Sequence, residues 1–291
     1  MMFFDIIKTM RPRQWTKNLF VFAALVFSRR FLEPGDTLRV LGSFIIFCVL
    51  SGAVYIINDI VDREKDRRHE LKRTRPIASG RLSCGTAALF AAVLAAAAFV
   101  AAFSLGRSFG VVAACYFALM IVYSFFLKHV VIVDVLVIAS GFVLRAAAGG
   151  CVIHVVISPW LLICTILIAL FMVLSKRRHE LVLLEDNAAK HRRTLLEYSP
   201  YLLDQMIAVV TSSTVMAYAL YTMWPRTIEE VSPYLYLTIP FVLYGIFRYL
   251  YLVHQKEKGG SPERLLLSDM PLMVDIILWI IAVGVILSIS N

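Results

Sequence analysis

The sequence predicts an all-α, polytopic membrane protein: a bundle of nine transmembrane helices with its N-terminus in the cytoplasm. Three observations carry that prediction. Sixty per cent of the residues are hydrophobic and the mean hydropathy is +0.78, well above the roughly 45–50% apolar content of a soluble domain. Apolar runs recur along the chain between short charged loops, most of them near the ~20 residues that cross about 30 Å of hydrocarbon. Finally, Lys and Arg are shared unequally between alternate loops: of 29, 23 fall on one side and five on the other, with Arg145 inside a span. Positive residues accumulate on the cytoplasmic side, which places the N-terminus and the loops about 61–82 and 176–203 inside and the C-terminus outside.

Topology therefore accounts for the net charge of +9, and no nucleic-acid-binding motif accompanies it. Cys48, Cys84, Cys115, Cys151 and Cys164 show no CxxC or Cys/His ligand spacing and read as packing residues. No Pro/Ser-rich linker divides the chain, so residues 1–291 read as one integral-membrane domain.

Residues 1–18 carry Lys8, Arg11, Arg13 and Lys17 among Phe3, Phe4, Ile6, Ile7 and Trp15, the pattern of an interfacial helix on the lipid bilayer. Leu19–Phe27 reads as a short first span, because Ser28-Arg29-Arg30 follows it where a signal peptide would carry a small-residue cleavage site. Further spans are predicted at 37–60, 83–104, 109–127, 131–150, 158–175, 204–224, 234–253 and 271–289. The Ala-rich stretch 87–102 reads as scaffold, since small side chains let helices approach closely.

The chemistry concentrates where the second span meets its loop, in Asn58-Asp59-Ile60-Val61-Asp62-Arg63-Glu64-Lys65-Asp66. If the helix continues through this NDxxDxxxD stretch, Asn58, Asp59, Asp62 and Asp66 share one face. Like charges so spaced repel, and carboxylates at a helix C-terminus oppose the macrodipole, so the face calls for a cation. Mg²⁺ suits it, because that ion takes oxygen ligands and binds through one or two carboxylates plus substrate phosphates. The competing reading is a solvated helix end balanced by Arg63, Lys65, Arg67 and Arg68.

Basic residues follow at once, and Arg73 and Arg75 flank the turn-forming RPIASG stretch, where the chain can fold back towards the acids. Tyr123 and Lys128 lie at the same membrane level and suit a phosphorylated ligand. Asp134 and Arg145 fall in or near an apolar span and each needs a partner, either a neighbouring helix or a ligand. Lys176-Arg177-Arg178-His179-Glu180 forms a basic box at a helix end, read either as a second anionic subsite or as a positive-inside flank. The loop beyond it carries Asp186, Asn187, His191, Arg192 and Arg193. The six histidines show no metal spacing.

NDIVDREKD followed by RPIASG resembles the UbiA superfamily of intramembrane prenyltransferases, whose nine-helix bundle matches the span count. With Arg11–Asn18 (RPRQWTKN), YSFFLK, Asp134 and GFVLRAAAGG, SKRRHEL and the C-terminal Ser261–Asp269 stretch, the chain is most similar to the decaprenyl-phosphate phosphoribosyltransferase subgroup. The resemblance covers nearly the whole chain. One departure from the wider superfamily is informative: where a second aspartate-rich motif would stand, this chain has Lys176–Glu180. A donor with one diphosphate and one further phosphate, 5-phosphoribosyl diphosphate, suits one metal site plus one basic site.

The resemblance implies transfer of phosphoribose to a polyprenyl phosphate in the plasma membrane, from the cytoplasmic side, for envelope polysaccharide precursors. It implies Asp59, Asp62 and Asp66, supported by Asn58, as holders of Mg²⁺, and Lys17, Arg73, Arg75, Lys128, Lys176, Arg177 and Arg178 as phosphate ligands. Tyr123, Arg145 and Glu180 join them as substrate contacts. The oligomeric state is left open, a homo-oligomer included. Two rivals stand beside this reading: a prenyl diphosphate donor with an aromatic or other small acceptor, and a transporter, which would show paired broken helices in its two halves.

Overall fold

The computed structural model describes residues 2–28, 30–69, 72–182, 197–256 and 268–290. Asp186, Asn187, His191, Arg192 and Arg193, together with Glu70 and the Ser261–Leu267 part of the C-terminal stretch, lie outside the described residues. Among the described residues the secondary structure is helical, with no strand. Eight helical segments are long and apolar enough to cross a membrane. The chain divides into two compact units, Met1–Ser158 and Pro159–Asn291.

The first unit opens with α1 (Met2–Met10), whose Ile6 and Met10 are buried in a cluster with Ile56, Ile77 and Leu82. The predicted short span at Leu19–Phe27 takes an unexpected form. Pro12–Phe22 winds as a 3-10 helix that passes into a five-residue α2 (Ala23–Phe27). At about 2.0 and 1.5 Å per residue, this 16-residue rod extends roughly 30 Å.

Its burial follows the 3-10 period. Asn18, Val21 and Ala24 are buried, whereas Arg13, Thr16 and Leu19 are exposed. Gly149 makes the close packing feasible, because a Cβ there would lie 1.9 Å from the Val21 carbonyl oxygen. That contact gives the Gly-Gly pair of GFVLRAAAGG a packing role.

The rod packs on α3 (Pro34–Val61) and α7 (Val133–Val152), and α5 (Cys84–Leu105) and α6 (Arg107–Phe125) pack in turn on α3. Pro34 starts α3 where its missing N–H costs nothing, and the Ser83 hydroxyl caps α5 by accepting from the Thr86 N–H at 3.1 Å. On α5 the small residues Ala87, Ala91, Ala95, Ala98 and Ala102 are buried at three- and four-residue spacing. The scaffold reading of the Ala-rich stretch therefore holds.

The second unit contains α8 (Pro159–Val182), α9 (Pro200–Thr222), the short α10 (Pro225–Glu230), α11 (Ile239–Gln255) and α12 (Met270–Ile289). α8 packs on α9, and α11 packs on α12. Ser199 and Asp269 cap α9 and α12, accepting from the Leu202 and Leu272 N–H groups at 3.1 Å.

Candidate active site

The acidic stretch is helical with one joint. α3 ends at Val61, Asp62 takes φ −90° and ψ 5°, and α4 runs from Arg63 to Arg67. Hydrogen bonds from Asp62 N–H to Asn58 C=O (2.9 Å) and from Asp66 N–H to Asp62 C=O (2.8 Å) carry the helical register across the joint. The helical continuity expected through this stretch is thereby kept, while the side chains divide into two pairs, Asp59 with Asp66 and Asn58 with Asp62. Glu64 pairs instead with Arg67 at 3.3 Å.

The loop after α4 returns Arg75 to the acids. Pro76, Ile77 and Ala78 are buried, Arg67 Nε donates to the Ala78 carbonyl at 3.1 Å, and the Leu82 N–H donates to the Pro76 carbonyl at 3.0 Å. Gly80 closes the turn at φ 81°, a left-handed value that glycine adopts without strain. So anchored, Arg75 Nη1 donates to Asp59 Oδ1 at 3.1 Å and to Asp66 Oδ2 at 2.6 Å. Arg73, two residues earlier, is exposed.

Asp62 has a different partner. Lys128 Nζ donates to Asp62 Oδ1 at 2.7 Å and reaches Asn58 Oδ1 at 3.5 Å, while Asn58 Nδ2 donates to Asp62 Oδ2 at 3.2 Å. Lys128 is held by the turn before α7, where Ile132 adopts φ 68° and the Val133 N–H bonds the Val131 carbonyl at 2.8 Å. Tyr123 is half-buried at the end of α6, and Asp134 is wholly buried in the first turn of α7, where a carboxylate agrees with the macrodipole.

Exposure separates the partners. The Asp59 and Asp66 side chains are 3% and 6% exposed, whereas Arg11 and Arg75, which pair with them, are each 27% exposed. In this corner the acids form the floor and the guanidinium groups lie towards solvent.

Among the described residues, no three or more His, Cys, Asp or Glu side chains gather as they would in an all-protein metal cage. Mg²⁺ does not require one, since it is usually held by one or two carboxylates with phosphate and water completing the shell. Asp59 and Asp66 fit that description, because their oxygens already converge on a single cationic nitrogen, Arg75 Nη1.

Arg145 is placed elsewhere. Its Nε donates to Asn18 Oδ1 at 2.7 Å, Nη1 to the Gly141 carbonyl at 2.9 Å and Nη2 to the Tyr116 hydroxyl at 2.7 Å, and its guanidinium lies over the Tyr116 ring. Asn18 Nδ2 in turn donates to Ser51 Oγ at 3.2 Å. This buried network ties the N-terminal rod to α3 and α7, which matches the neighbouring-helix alternative for the intramembrane arginine. Lys17, the residue before Asn18, is half-buried on the same rod.

In the second unit the basic box caps the end of α8. Arg177 Nη1 donates to Glu180 Oε2 at 3.1 Å, and Lys176 Nζ lies 3.9 Å from Glu180 Oε1. Arg178 holds Asp204 through Nε at 2.5 Å and Nη2 at 3.4 Å, and His254 Nε2 lies 3.1 Å from the same carboxylate. Burial here is reversed: Arg177 and Arg178 are 6% and 16% exposed, while Glu180 and Asp204 are each 34% exposed.

The sequence reading missed three of these participants: Arg11, Asp204 and His254. A signal existed for Asp204, the one Asp, Glu, Lys or Arg in the membrane-length helix α9, because charged residues in such helices seek partners. Arg11 sits 48 positions from Asp59, and no local pattern connects them.

Comparison with known proteins agrees with the fold and motifs. The profile of the UbiA prenyltransferase family matches residues 19–270. The decaprenyl-phosphate phosphoribosyltransferase of Corynebacterium glutamicum is 35% identical over 298 residues, covering 96% of this chain and 85% of the relative. That of Mycobacterium tuberculosis is 34% identical over 283 residues, covering 96% and 93%. Among solved structures, a UbiA homolog from Archaeoglobus fulgidus bound to GPP and Mg²⁺ superposes with a TM-score of 0.73 at 18% identity, over 98% of this chain and 99% of that one, a likeness of fold. This multi-pass membrane protein belongs to the UbiA prenyltransferase family.

Proposed function

We propose that the protein transfers 5-phosphoribose from 5-phosphoribosyl diphosphate to a polyprenyl phosphate, at the cytoplasmic face of the plasma membrane. An acceptor phosphate oxygen attacks C1 of the ribose, the C1–O bond to diphosphate breaks, and diphosphate departs with the bonding electrons. The acceptor is already anionic, so no general base is required. The ribosyl carbon gains oxocarbenium character on the way, as in other glycosyl transfers.

Asp59 and Asp66, with Asp62 and Asn58 beside them, are the residues proposed to hold Mg²⁺. That ion, when bound, supplies charge neutralisation for the leaving diphosphate. Arg75 and Lys128 lie within hydrogen-bonding distance of these carboxylates and are proposed to donate hydrogen bonds to substrate phosphate in the first unit, with Lys17, Arg73 and Tyr123 as further candidates. In the second unit Arg177 and Lys176, paired with Glu180, are proposed as ligands of a substrate phosphate, with Arg178 fixed on the same helix by Asp204.

The observation that carries the reading is the character of the box on α8. A prenyl diphosphate donor handled by two metal sites needs carboxylates there, yet two arginines are the more buried members of its ion pairs, which suits phosphate. The near full-length likeness to relatives named decaprenyl-phosphate phosphoribosyltransferase supports the same donor. The test is transfer by the purified full chain in detergent, with ribose-labelled 5-phosphoribosyl diphosphate, Mg²⁺ and polyprenyl phosphate. Label is expected in a lipid of the product's mass. Transfer from prenyl diphosphate to an aromatic acid, with no label moving from 5-phosphoribosyl diphosphate, would establish the rival donor.

A further inference from the structure

Arg11 lies where α1 ends and the 3-10 rod begins, in left-handed backbone with φ 53° and ψ 65°. That region is unfavourable for a residue with a Cβ, so the surroundings must hold it there. They do so from both sides: Ile6 and Met10 bury α1 on one, and Asn18 and Val21 bury the rod on the other. The side chain reaches the acids from this fixed point. Its Nη2 donates to Asp59 Oδ1, and its guanidinium lies 4.9 Å over the Tyr55 ring.

Asp59 Oδ1 is also the oxygen that Arg75 Nη1 reaches. Two guanidinium groups thus share one acceptor, and they are held unequally. Arg75 has a second carboxylate, Asp66, at 2.6 Å, whereas Arg11 has Asp59 and the aromatic face. A divalent ion approaching Asp59 from solvent competes with both cations, and Arg11 is the more easily displaced. Charge balance points the same way: Asp59, Asp62 and Asp66 are matched by Arg11, Arg75 and Lys128. An ion alone upsets that neutrality, and an ion arriving with phosphate restores it.

We propose that Arg11 is an exchangeable ligand of Asp59, which yields the carboxylate to a divalent ion and turns its guanidinium fork to a phosphate oxygen of the donor. The same fork matches carboxylate and phosphate geometry, so one side chain can serve both. The ion half stands on the contacts alone, and the phosphate half rests on the transferase reading above.

Mn²⁺ titrations of the full chain in detergent, followed by the electron paramagnetic resonance of free ion, test the first half. Binding of 5-phosphoribosyl diphosphate at saturating Mn²⁺ tests the second. Arg11→Gln should bind Mn²⁺ alone about three- to tenfold more tightly and the donor at least about fivefold more weakly. Arg11→Lys, which keeps the charge and loses the fork, should leave Mn²⁺ affinity within about twofold of wild type while still weakening the donor by about threefold or more. Arg13→Gln removes an exposed charge two residues away and should change neither.

Unchanged or weaker Mn²⁺ binding in Arg11→Gln overturns the proposal, as does equal tightening in Arg13→Gln. If Arg11→Gln fails to fold, Arg11→Lys decides, because undiminished donor binding in it overturns the exchange. Wild-type protein that binds Mn²⁺ but not 5-phosphoribosyl diphosphate would overturn the phosphate half together with the transferase reading. The Mn²⁺ comparison would then still decide the ion half.

Discussion

The acidic corner of the first unit and the basic box of the second are both built from ion pairs, yet they are layered in opposite order. Asp59 and Asp66 lie beneath Arg11 and Arg75, whereas Arg177 and Arg178 lie beneath Glu180 and Asp204. A charge withdrawn from water depends on its partner, while the partner nearer solvent can be replaced by water or ligand at smaller cost. The buried member therefore sets the sign of what each place attracts. By that argument the first corner takes a cation and the second an anion, although each contains both signs.

Lys128 is the exception within the acidic corner, since it is more buried than Asp62, at 5% against 18% exposure. If it belongs to the floor, its removal costs more stability than loss of an outer cation. Lys128→Met should lower Tm by about 6 °C or more, because breaking a buried pair leaves an uncompensated charge. The double variant with Asp62→Asn should recover at least about half of that loss, as coupled neighbours do. Thermal unfolding of the purified proteins reads both, and a Lys128→Met protein as stable as wild type would remove Lys128 from the floor.

The second layering is sharpened by kinetics. Arg177→Gln should raise KM for 5-phosphoribosyl diphosphate by about tenfold or more, at roughly 1.5–3 kcal/mol for a charged hydrogen bond. KM for polyprenyl phosphate should move much less, because a large share of its affinity comes from the tail at about 0.8 kcal/mol per CH₂. Arg178→Gln should act more through structure, since both ends of its fork are committed to Asp204. A rise confined to the lipid substrate would move the box to the acceptor phosphate. The smallest effect belongs to Glu64→Gln, exposed and paired on the surface with Arg67. Its turnover should stay within about twofold of wild type.

How much of this was legible in the sequence depends on the range of the interaction. The long helices were readable because each apolar run is local: a span predicted at 37–60 is α3, Pro34–Val61, and one at 131–150 is α7, Val133–Val152. The N-terminal rod was not. Its burial repeats every three residues, and a search for apolar runs finds in it only Leu19–Phe27. The acidic stretch could be read as helical from i, i+3 and i+4 spacing, but the cations that meet it arrive from positions 11, 75 and 128. Arg73 and Arg75 were indistinguishable as letters around a turn, and burial of Pro76–Ala78 is what sends Arg75 inward.

The central claim is that the buried carboxylates of the first unit carry the metal-dependent half of the reaction. It is tested most directly by the transfer rate of Asp59→Asn across a Mg²⁺ titration, with folding checked by thermal unfolding. The substitution keeps the side chain's shape and removes its charge. The account predicts a folded protein whose rate falls by about 10²–10³ or more at limiting Mg²⁺, because charge stabilisation at the leaving diphosphate is lost. A near wild-type rate at limiting Mg²⁺ would contradict it.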